Sequence, residues 1–280
     1  MLVAKYARGN LTTSYGAQIS YITMGEGPIP LVIIPGIGDG IQTIEEAAPG
    51  YAWTHRNRAS QFRMLILSRR QPIPLSYSIE EHANDMIWAM EKLQWGQTML
   101  EGISLGGPIA QWIAVKRPQL VRGLVLTSTM AITSKQTRTI MKEWLMLAQQ
   151  NKWADFNWSR IAYTSKASTV NTYQMFRPFL GVLGKPKHPG RFERILEGLL
   201  YADNHHVAPL IRCPTLVLGG TEDRFINPAT QQEMARMIPQ ARMKLFPGEG
   251  HNVDQDNASY LQDLDAFAQD LKRGTTVLAY

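Results

Sequence analysis

The sequence has little cysteine and no long apolar run, and each absence excludes a class of protein. The 280 residues include one cysteine, Cys213, so no internal disulfide can form and a reducing compartment is expected. No window approaches about 18 uninterrupted apolar residues, which predicts that there is no membrane span. The first ten residues contain Lys5 and Arg8 and lack the hydrophobic region of a signal peptide. We therefore expect a cytoplasmic location.

Charge of one sign is not concentrated in any segment. Lys and Arg number 29 and Asp and Glu 23, which gives a net charge of +6. The basic residues of the segment 56–70 are interrupted by apolar residues and are predicted to be solvated surface charge; they are Arg56, Arg58, Arg63, Arg69 and Arg70. Basic side chains interleaved with aromatic ones are absent, which predicts that nucleic acid is not a partner. Paired cysteines, a His-Glu-x-x-His sequence and a Walker loop are also absent, so we expect neither a metal nor a cofactor.

Apolar runs and helical patterns alternate along much of the chain. The short apolar runs predict strands at 31–34, 64–67, 98–100, 123–126, 215–218 and 243–246, and an alternating segment predicts another at 18–23. Helical patterns occupy 78–95, 105–116, 228–239 and 257–272, the first opened by a capping box of Ser78 and Glu81. This alternation predicts an α/β fold with a mostly parallel, doubly wound sheet.

One segment interrupts the alternation. Residues 131–208 have helical patterns without a convincing strand, with breaks near Pro178 and between Gly184 and Gly190, and they hold 10 of the 25 aromatic residues. We expect a core domain of residues 1–130 and 209–280, with residues 131–208 inserted as a helical cap, or lid, that has an apolar underside. The alternative is an extra helical layer packed on the core.

The sequence Gly102-Ile103-Ser104-Leu105-Gly106 lies between a predicted strand and a predicted helix. Gly-x-Ser-x-Gly at this place is the pattern of a nucleophile elbow, a tight turn that projects the serine oxygen above the sheet. Glycine two residues before and two after the serine relieves crowding in that turn. The new helix also points its first N–H groups at the site, where they can stabilise an oxyanion.

A nucleophilic serine needs a base, and the base needs an acid that orients it. His251 lies in a glycine-rich loop after the last predicted strand, and Asp223 follows the preceding strand. Both therefore lie at the carboxyl edge of the sheet, as Ser104 does. Glu222 is the alternative acid. Asp254 and Asp256 are interpreted as charges at a helix N-terminus.

The chain order Ser104, Asp223, His251 is that of the α/β-hydrolases, and nearly the whole chain resembles this superfamily. The resemblance is strongest to the branch of esterases, enol-lactonases and cofactor-free haloperoxidases, in which a helical cap follows the sixth strand. It implies that the backbone N–H groups of Ile37 and Leu105 form an oxyanion hole.

Two segments depart from the pattern of this branch. Pro35-Gly36 stands where many relatives have His-Gly, so a side chain that could brace the loop is missing at position 35. Residues 67–71, Leu-Ser-Arg-Arg-Gln, differ from the usual Asp-x-Gly-x-Gly-x-Ser signature.

The loop Gly36-Ile37-Gly38 also resembles a dinucleotide fingerprint, but Ile41 stands where that motif needs glycine or alanine.

Together these features predict a serine hydrolase that cleaves a small or medium carboxylic ester or lactone through an acyl-enzyme intermediate. Ser104 is the expected nucleophile, His251 the base and Asp223 the orienting acid. Hydrolysis of a carbon–carbon bond and perhydrolysis use the same triad and remain alternatives. A ligand-binding or regulatory protein on a hydrolase scaffold is the alternative of a different class.

Overall fold

The computed structural model describes residues 5–174 and 185–274. An eight-stranded sheet forms the centre of the molecule. Its strands are β1 (Tyr6–Thr12), β2 (Gln18–Met24), β3 (Ile29–Ile34), β4 (Phe62–Leu67), β5 (Thr98–Ile103), β6 (Val121–Thr127), β7 (Thr215–Gly220) and β8 (Ala241–Phe246). The helices are α1 (Gly38–Ile41), α2 (Ala48–Thr54), α3 (Ile79–Lys92), α4 (Gly107–Lys116), α5 (Lys135–Gln149), α6 (Trp153–Thr164), α7 (Ala167–Gln174), α8 (Pro189–Leu199), α9 (Pro228–Met237), α10 (Val253–Asp256) and α11 (Tyr260–Arg273).

The strand order is β1-β2-β4-β3-β5-β6-β7-β8. The pairs β1–β2 and β2–β4 are antiparallel, and all pairs from β4 to β8 are parallel. The predicted fold class, a mostly parallel sheet with flanking helices, is confirmed. The sequence analysis missed β1, an edge strand whose residues are exposed or only half-buried, so its pattern is not that of a buried strand.

Helices cover both faces of the sheet. In β3, Val32 and Ile34 pack in the core beneath α3 and α4, whereas Leu31 and Ile33 pack in the core beneath α2 and α11. A strand covered on both faces needs apolar residues at every position, because successive side chains point to opposite faces. This explains the continuous apolar runs that predicted the parallel strands.

The predicted capping box forms at the start of α3. Ser78 Oγ accepts a hydrogen bond from the Glu81 backbone N–H at 3.1 Å, and the Glu81 carboxylate accepts one from the Ser78 backbone N–H at 2.8 Å. The helix ends at Lys92, before the predicted end near residue 95, because Gln94 has a φ of +52° and turns the chain out of the helix.

In the part of the chain that the structure describes, the helices α5–α8 lie between β6 and β7. Their buried aromatic side chains pack edge to face on one another, with ring centroids 4.9–5.9 Å apart; they are Trp144, Trp153, Phe156 and Phe192. These aromatic groups belong to the same buried cluster as Val32 and Ile34 of the sheet, and Trp144 also stacks on Phe225 with ring centroids 4.6 Å apart. The break predicted near Pro178 lies outside the described residues, and in the described part of the break predicted between Gly184 and Gly190, residues 185–188 are not helical and α8 begins at Pro189.

The prediction that the arginines of residues 56–70 are solvated surface charge is wrong for three of them. Arg58, Arg69 and Arg70 are buried, with relative exposures of 4%, 1% and 9%. Arg58 pairs with Glu101 and Arg69 with Asp39, both of which are fully buried. These carboxylates are 43 and 30 residues away in sequence, so the local pattern contained no sign of them.

Among the helices that the structure describes, none combines the length and the apolar character that crossing a membrane requires.

Candidate active site

The three residues predicted to form a catalytic triad follow the carboxyl ends of three parallel strands. Ser104 follows β5, Asp223 lies just beyond β7, and His251 lies in the loop after β8. Because β5, β6, β7 and β8 are neighbours in that order, their carboxyl ends share one edge of the sheet. The structure brings all three side chains together at this edge.

The candidate triad is connected by two hydrogen bonds. His251 Nδ1 lies 2.8 Å from Asp223 Oδ2, and His251 Nε2 lies 2.7 Å from Ser104 Oγ. When the Asp223 carboxylate accepts from Nδ1–H, Nε2 is left free to accept from the serine hydroxyl. All three residues are buried, with exposures of 3–6%, which favours strong electrostatic interactions.

Backbone donors hold Asp223 in place. Its Oδ1 accepts from the N–H groups of Phe225 and Ile226 at 3.0 and 2.9 Å, and its Oδ2 also accepts from Gln231 Nε2 at 3.2 Å. Glu222, the alternative acid, is exposed. The structure therefore places Asp223, and not Glu222, against the histidine.

Ser104 has a φ of +52°, a left-handed conformation that is rare and costly for a residue with a side chain. Its two neighbouring glycines are required by close approach. A Cβ at Gly102 would lie 2.7 Å from the Cβ of Ala110, and a Cβ at Gly106 would lie 2.1 Å from the carbonyl oxygen of Ile34. The Gly-x-Ser-x-Gly spacing thus follows from the close packing of the turn after β5 against Ala110 of α4 and Ile34 of β3.

Ser104 and His251 open into a cavity of about 260 Å³. The loop after β3 lines it with Ile37, and the helices between β6 and β7 contribute Arg160 and Thr164 from α6. The Thr164 carbonyl also accepts a hydrogen bond from the His251 backbone N–H at 3.1 Å. Among the described residues of the insertion, Arg160 and Thr164 line this cavity, and the apolar underside of a lid stays a prediction.

Sequence reasoning missed two titratable residues of the cavity wall, His55 and Asp254. Burial raises the pKa of Asp254 to about 6, with Arg58, 4.0 Å away, opposing the rise. Burial lowers the pKa of His55 well below 6.5, and the positive charge of Arg58 adds to this effect. Asp254 does lie in the first turn of a helix, α10, as predicted, but that interpretation did not foresee its burial in the cavity wall.

Arg58 connects Asp254 of the cavity wall with Glu101 of β5. Its Nη1 donates to Glu101 Oε2 at 2.7 Å, and the other carboxylate oxygen of Glu101 accepts from Thr127 and Tyr260. Burial acts to lower the pKa of Arg58, but the neighbouring Glu101 and Asp254 outweigh it and raise that pKa.

A second buried network lies behind the loop after β3. Asp39 accepts from Arg69 Nη1 at 3.2 Å and from Arg191 Nη2 at 3.0 Å, and Ser68 also donates to it. Arg191 belongs to α8, so the network ties the inserted helices to the core. The short segment 67–71, which departs from the usual family signature, supplies both Ser68 and Arg69.

The family model described as alpha/beta hydrolase fold matches residues 30–256. Among curated proteins, a 2-hydroxy-6-oxononadienedioate/2-hydroxy-6-oxononatrienedioate hydrolase from Pseudomonas sp. is 24% identical over 255 residues, covering 86% of this chain and 87% of the relative. Polyketide synthase ThaQ from Burkholderia thailandensis is 26% identical over 85% of this chain, but the match spans only 12% of that protein.

Solved structures with the same fold cover nearly the whole chain. MGS-M2, an alpha/beta hydrolase enzyme from a Medee basin deep-sea metagenome library, has a TM-score of 0.80 at 20% identity, covering 97% of this chain and 99% of that one. The enol-lactonase from Burkholderia xenovorans LB400 has a TM-score of 0.70 at 19% identity, covering 95% and 98%. At these identities the likeness concerns the fold.

Proposed function

Because the chain belongs to the alpha/beta hydrolase fold family, we propose that it is a serine hydrolase that cleaves a small or medium carboxylic ester or lactone. The observation that carries this proposal is the continuous hydrogen-bonded chain from Asp223 through His251 to Ser104, which opens into a cavity. A volume of about 260 Å³ suits a substrate of modest size. Residues 131–208 act as the cap over this cavity.

The mechanism follows from the geometry. Ser104 Oγ attacks the acyl carbon while His251 Nε2 takes the hydroxyl proton, and Asp223 stabilises the imidazolium that forms. The oxyanion accepts hydrogen bonds from the backbone N–H groups of Ile37 and Leu105. His251 then gives the proton to the leaving alcohol oxygen. Water, deprotonated by the same histidine, releases the acid and restores the serine.

Initial rates on p-nitrophenyl esters of increasing acyl length test the proposal. Ser104→Ala should lower kcat by at least about 10³-fold without unfolding the protein, because the triad acts as a unit. Retention of more than a few per cent of the activity would exclude the mechanism. Complete inactivity of the wild-type protein on every ester and lactone offered would favour carbon–carbon bond hydrolysis or the ligand-binding alternative.

A matched pair of variants tests the acid. Asp223→Asn should lower kcat by roughly 10⁴-fold, since the histidine would lose its orienting carboxylate. Glu222→Gln changes the neighbouring exposed carboxylate in the same way and should leave kcat within about twofold. The opposite ranking would identify Glu222 as the acid.

Hydrolysis of a carbon–carbon bond is the second candidate, since the curated relatives include the dienedioate hydrolase named above. A dienedioate carries two negative charges. The cavity wall contains Asp254 as well as Arg160. The Asp254 carboxylate would repel a substrate with two negative charges. Esters and lactones without an added negative charge therefore fit the described wall better.

A further inference from the structure

Each proposed oxyanion donor shares its peptide group with a carbonyl on the opposite side. The N–H of Ile37 belongs to the same peptide as the Gly36 carbonyl, and the N–H of Leu105 to the same peptide as the Ser104 carbonyl. Both carbonyls accept a hydrogen bond from a buried side chain. Arg69 Nη1 donates to Gly36 O at 3.3 Å, and Thr129 Oγ1 donates to Ser104 O at 2.6 Å.

Arg69 also connects the two backbone segments with each other. The two hydrogens of its Nη1 are shared among Pro35 O at 3.1 Å, Gly36 O and Asp39 Oδ2, so one of these three bonds is bifurcated, and its Nη2 donates to Leu105 O at 3.0 Å. Among the described residues, it is the one side chain that hydrogen-bonds both the loop after β3 and the turn after β5. A planar guanidinium can do this because its donors point in fixed directions.

Asp39 and burial hold the guanidinium in this position. Asp39 Oδ2 accepts from Arg69 Nη1 at 3.2 Å and from the Arg69 backbone N–H at 2.9 Å. The side chains of Arg69 and Asp39 are both fully buried, so neither can swing into solvent. Burial lowers the pKa of Arg69, with Asp39 opposing that effect, and an arginine keeps its proton in any case.

The position of the Thr129 hydroxyl is also fixed by its surroundings. It follows β6 and is fully buried, and its hydroxyl reaches the Ser104 carbonyl only because residue 107 is glycine. A Cβ at Gly107 would lie 2.0 Å from Thr129 Oγ1. Three segments of the chain therefore combine to place one hydroxyl behind the turn that carries the serine.

A hydrogen bond to a peptide carbonyl acts on the N–H at the other end of the same peptide. It fixes the peptide plane and polarises the N–H, strengthening the bond that this group donates by about 10–30%. The charge of Arg69 adds a favourable interaction with negative charge on the far side of the Gly36–Ile37 peptide, and low local dielectric strengthens that interaction.

We propose that Arg69 and Thr129 are positioning residues that hold and polarise the two oxyanion-hole peptides from behind. Arg69 then supplies the brace that Pro35 cannot give. The inference rests on the proposed function, since it needs an oxyanion to form beside Ser104.

The test is phosphonylation by a fluorophosphonate, which labels an activated serine and places its phosphoryl oxygen where the oxyanion would lie. We expect Thr129→Val, which has the same shape but no hydroxyl, to lower kinact by about 10-fold with KI unchanged. Thr129→Ser restores the hydroxyl and should recover kinact to within about threefold of wild type. A merely structural role of Thr129 would not produce this rescue at unchanged KI.

Arg69→Lys keeps the charge but cannot span both segments, and it should lower kinact by at least about 10-fold. Arg70→Met is the matched control. Arg70 is a neighbouring buried arginine that donates hydrogen bonds to Pro72 and Tyr77. The kinact of the Arg70→Met variant should therefore stay within about twofold of wild type. Thermal unfolding of each variant confirms that the compared proteins are folded.

The outcomes separate the two proposals. If wild-type Ser104 is not labelled, the proposed function fails and this inference fails with it. If wild-type Ser104 is labelled and both Thr129→Val and Arg69→Lys retain the wild-type kinact, the proposed function stands and the positioning role is overturned.

Discussion

Two clusters of buried charge lie near Ser104, and they have opposite compositions. The positive cluster is Asp39 with two guanidiniums, those of Arg69 and Arg191. The negative cluster is Arg58 with two carboxylates, those of Glu101 and Asp254. When every group is ionised, the first has a net charge of +1 and the second of −1.

The clusters differ in whether a change of pH can remove their net charge. Asp254 has a pKa of about 6, so the negative cluster approaches neutrality when the pH falls below that value. The excess charge of the positive cluster is on arginine, which does not lose its proton. The positive cluster also donates to the backbone that carries the proposed oxyanion donors. Charge is therefore permanent beside the peptides where the proposed chemistry develops an anion, whereas in the cavity wall it changes with pH.

The largest expected effect comes from removing the one carboxylate of the positive cluster. Asp39→Asn leaves two buried guanidiniums without a counter-charge, and unfolding in urea should show a loss of about 3–5 kcal/mol. Glu233→Gln neutralises an exposed carboxylate and should change stability by less than about 0.5 kcal/mol. Equal losses in the two variants would mean that the positive cluster is not held together by charge.

A smaller effect, dependent on pH, is expected in the negative cluster. The raised pKa of Asp254 means that the unfolded chain ionises near pH 3.8 while the folded carboxyl stays protonated until about pH 6. Rising pH therefore costs the wild-type fold stability between these values. Asp254→Asn lacks this loss, so its stability relative to wild type should increase by about 3 kcal/mol between pH 3.5 and pH 8.

Urea unfolding of both proteins at several pH values measures this difference. The relative stability of Asp254→Asn should level off above pH 7. A difference that does not change with pH would show that Asp254 has an ordinary pKa, and the contrast between the clusters would then disappear.

The smallest effect is expected at Arg191. Arg191→Met leaves Asp39 paired with Arg69, and it removes a buried guanidinium whose Nε and Nη1 have no hydrogen-bond partner among the described residues. The contacts of Nη2, whose two hydrogens are shared among Asp39, Ser68 and the Arg69 carbonyl, are lost in exchange. We expect a net loss of about 1 kcal/mol in the same urea assay. A loss as large as that of Asp39→Asn would show that both guanidiniums are required.

The candidate triad was accessible from the sequence because local patterns encode it. A buried strand has a recognisable apolar run, and a loop after such a strand must lie at the carboxyl edge of a parallel sheet. Ser104, Asp223 and His251 each follow such a run, so their proximity could be inferred without coordinates. The catalytic roles given to them, and to the N–H groups of Ile37 and Leu105, remain predictions.

The buried arginines were inaccessible for the opposite reason. Arg69 and its partner Asp39 lie on different elements, and Arg191 comes from a helix more than a hundred residues away along the chain. A charged residue in a polar-looking segment is usually solvated, so composition favoured the wrong interpretation. Composition likewise cannot distinguish an aromatic side chain that packs inside a helical layer from one that lines a cavity, so the lid remains a prediction.

The fold class and the order in which three side chains of the candidate triad follow their strands can be inferred from local patterns, because hydrophobic periodicity and turn chemistry are local properties. Which charges are buried, which of them pair, and which side chains lie behind the backbone around Ser104 depend on the folded arrangement. Those properties depend on distances between segments that are remote along the chain, and burial of a charge is stable only when such a remote partner is in place.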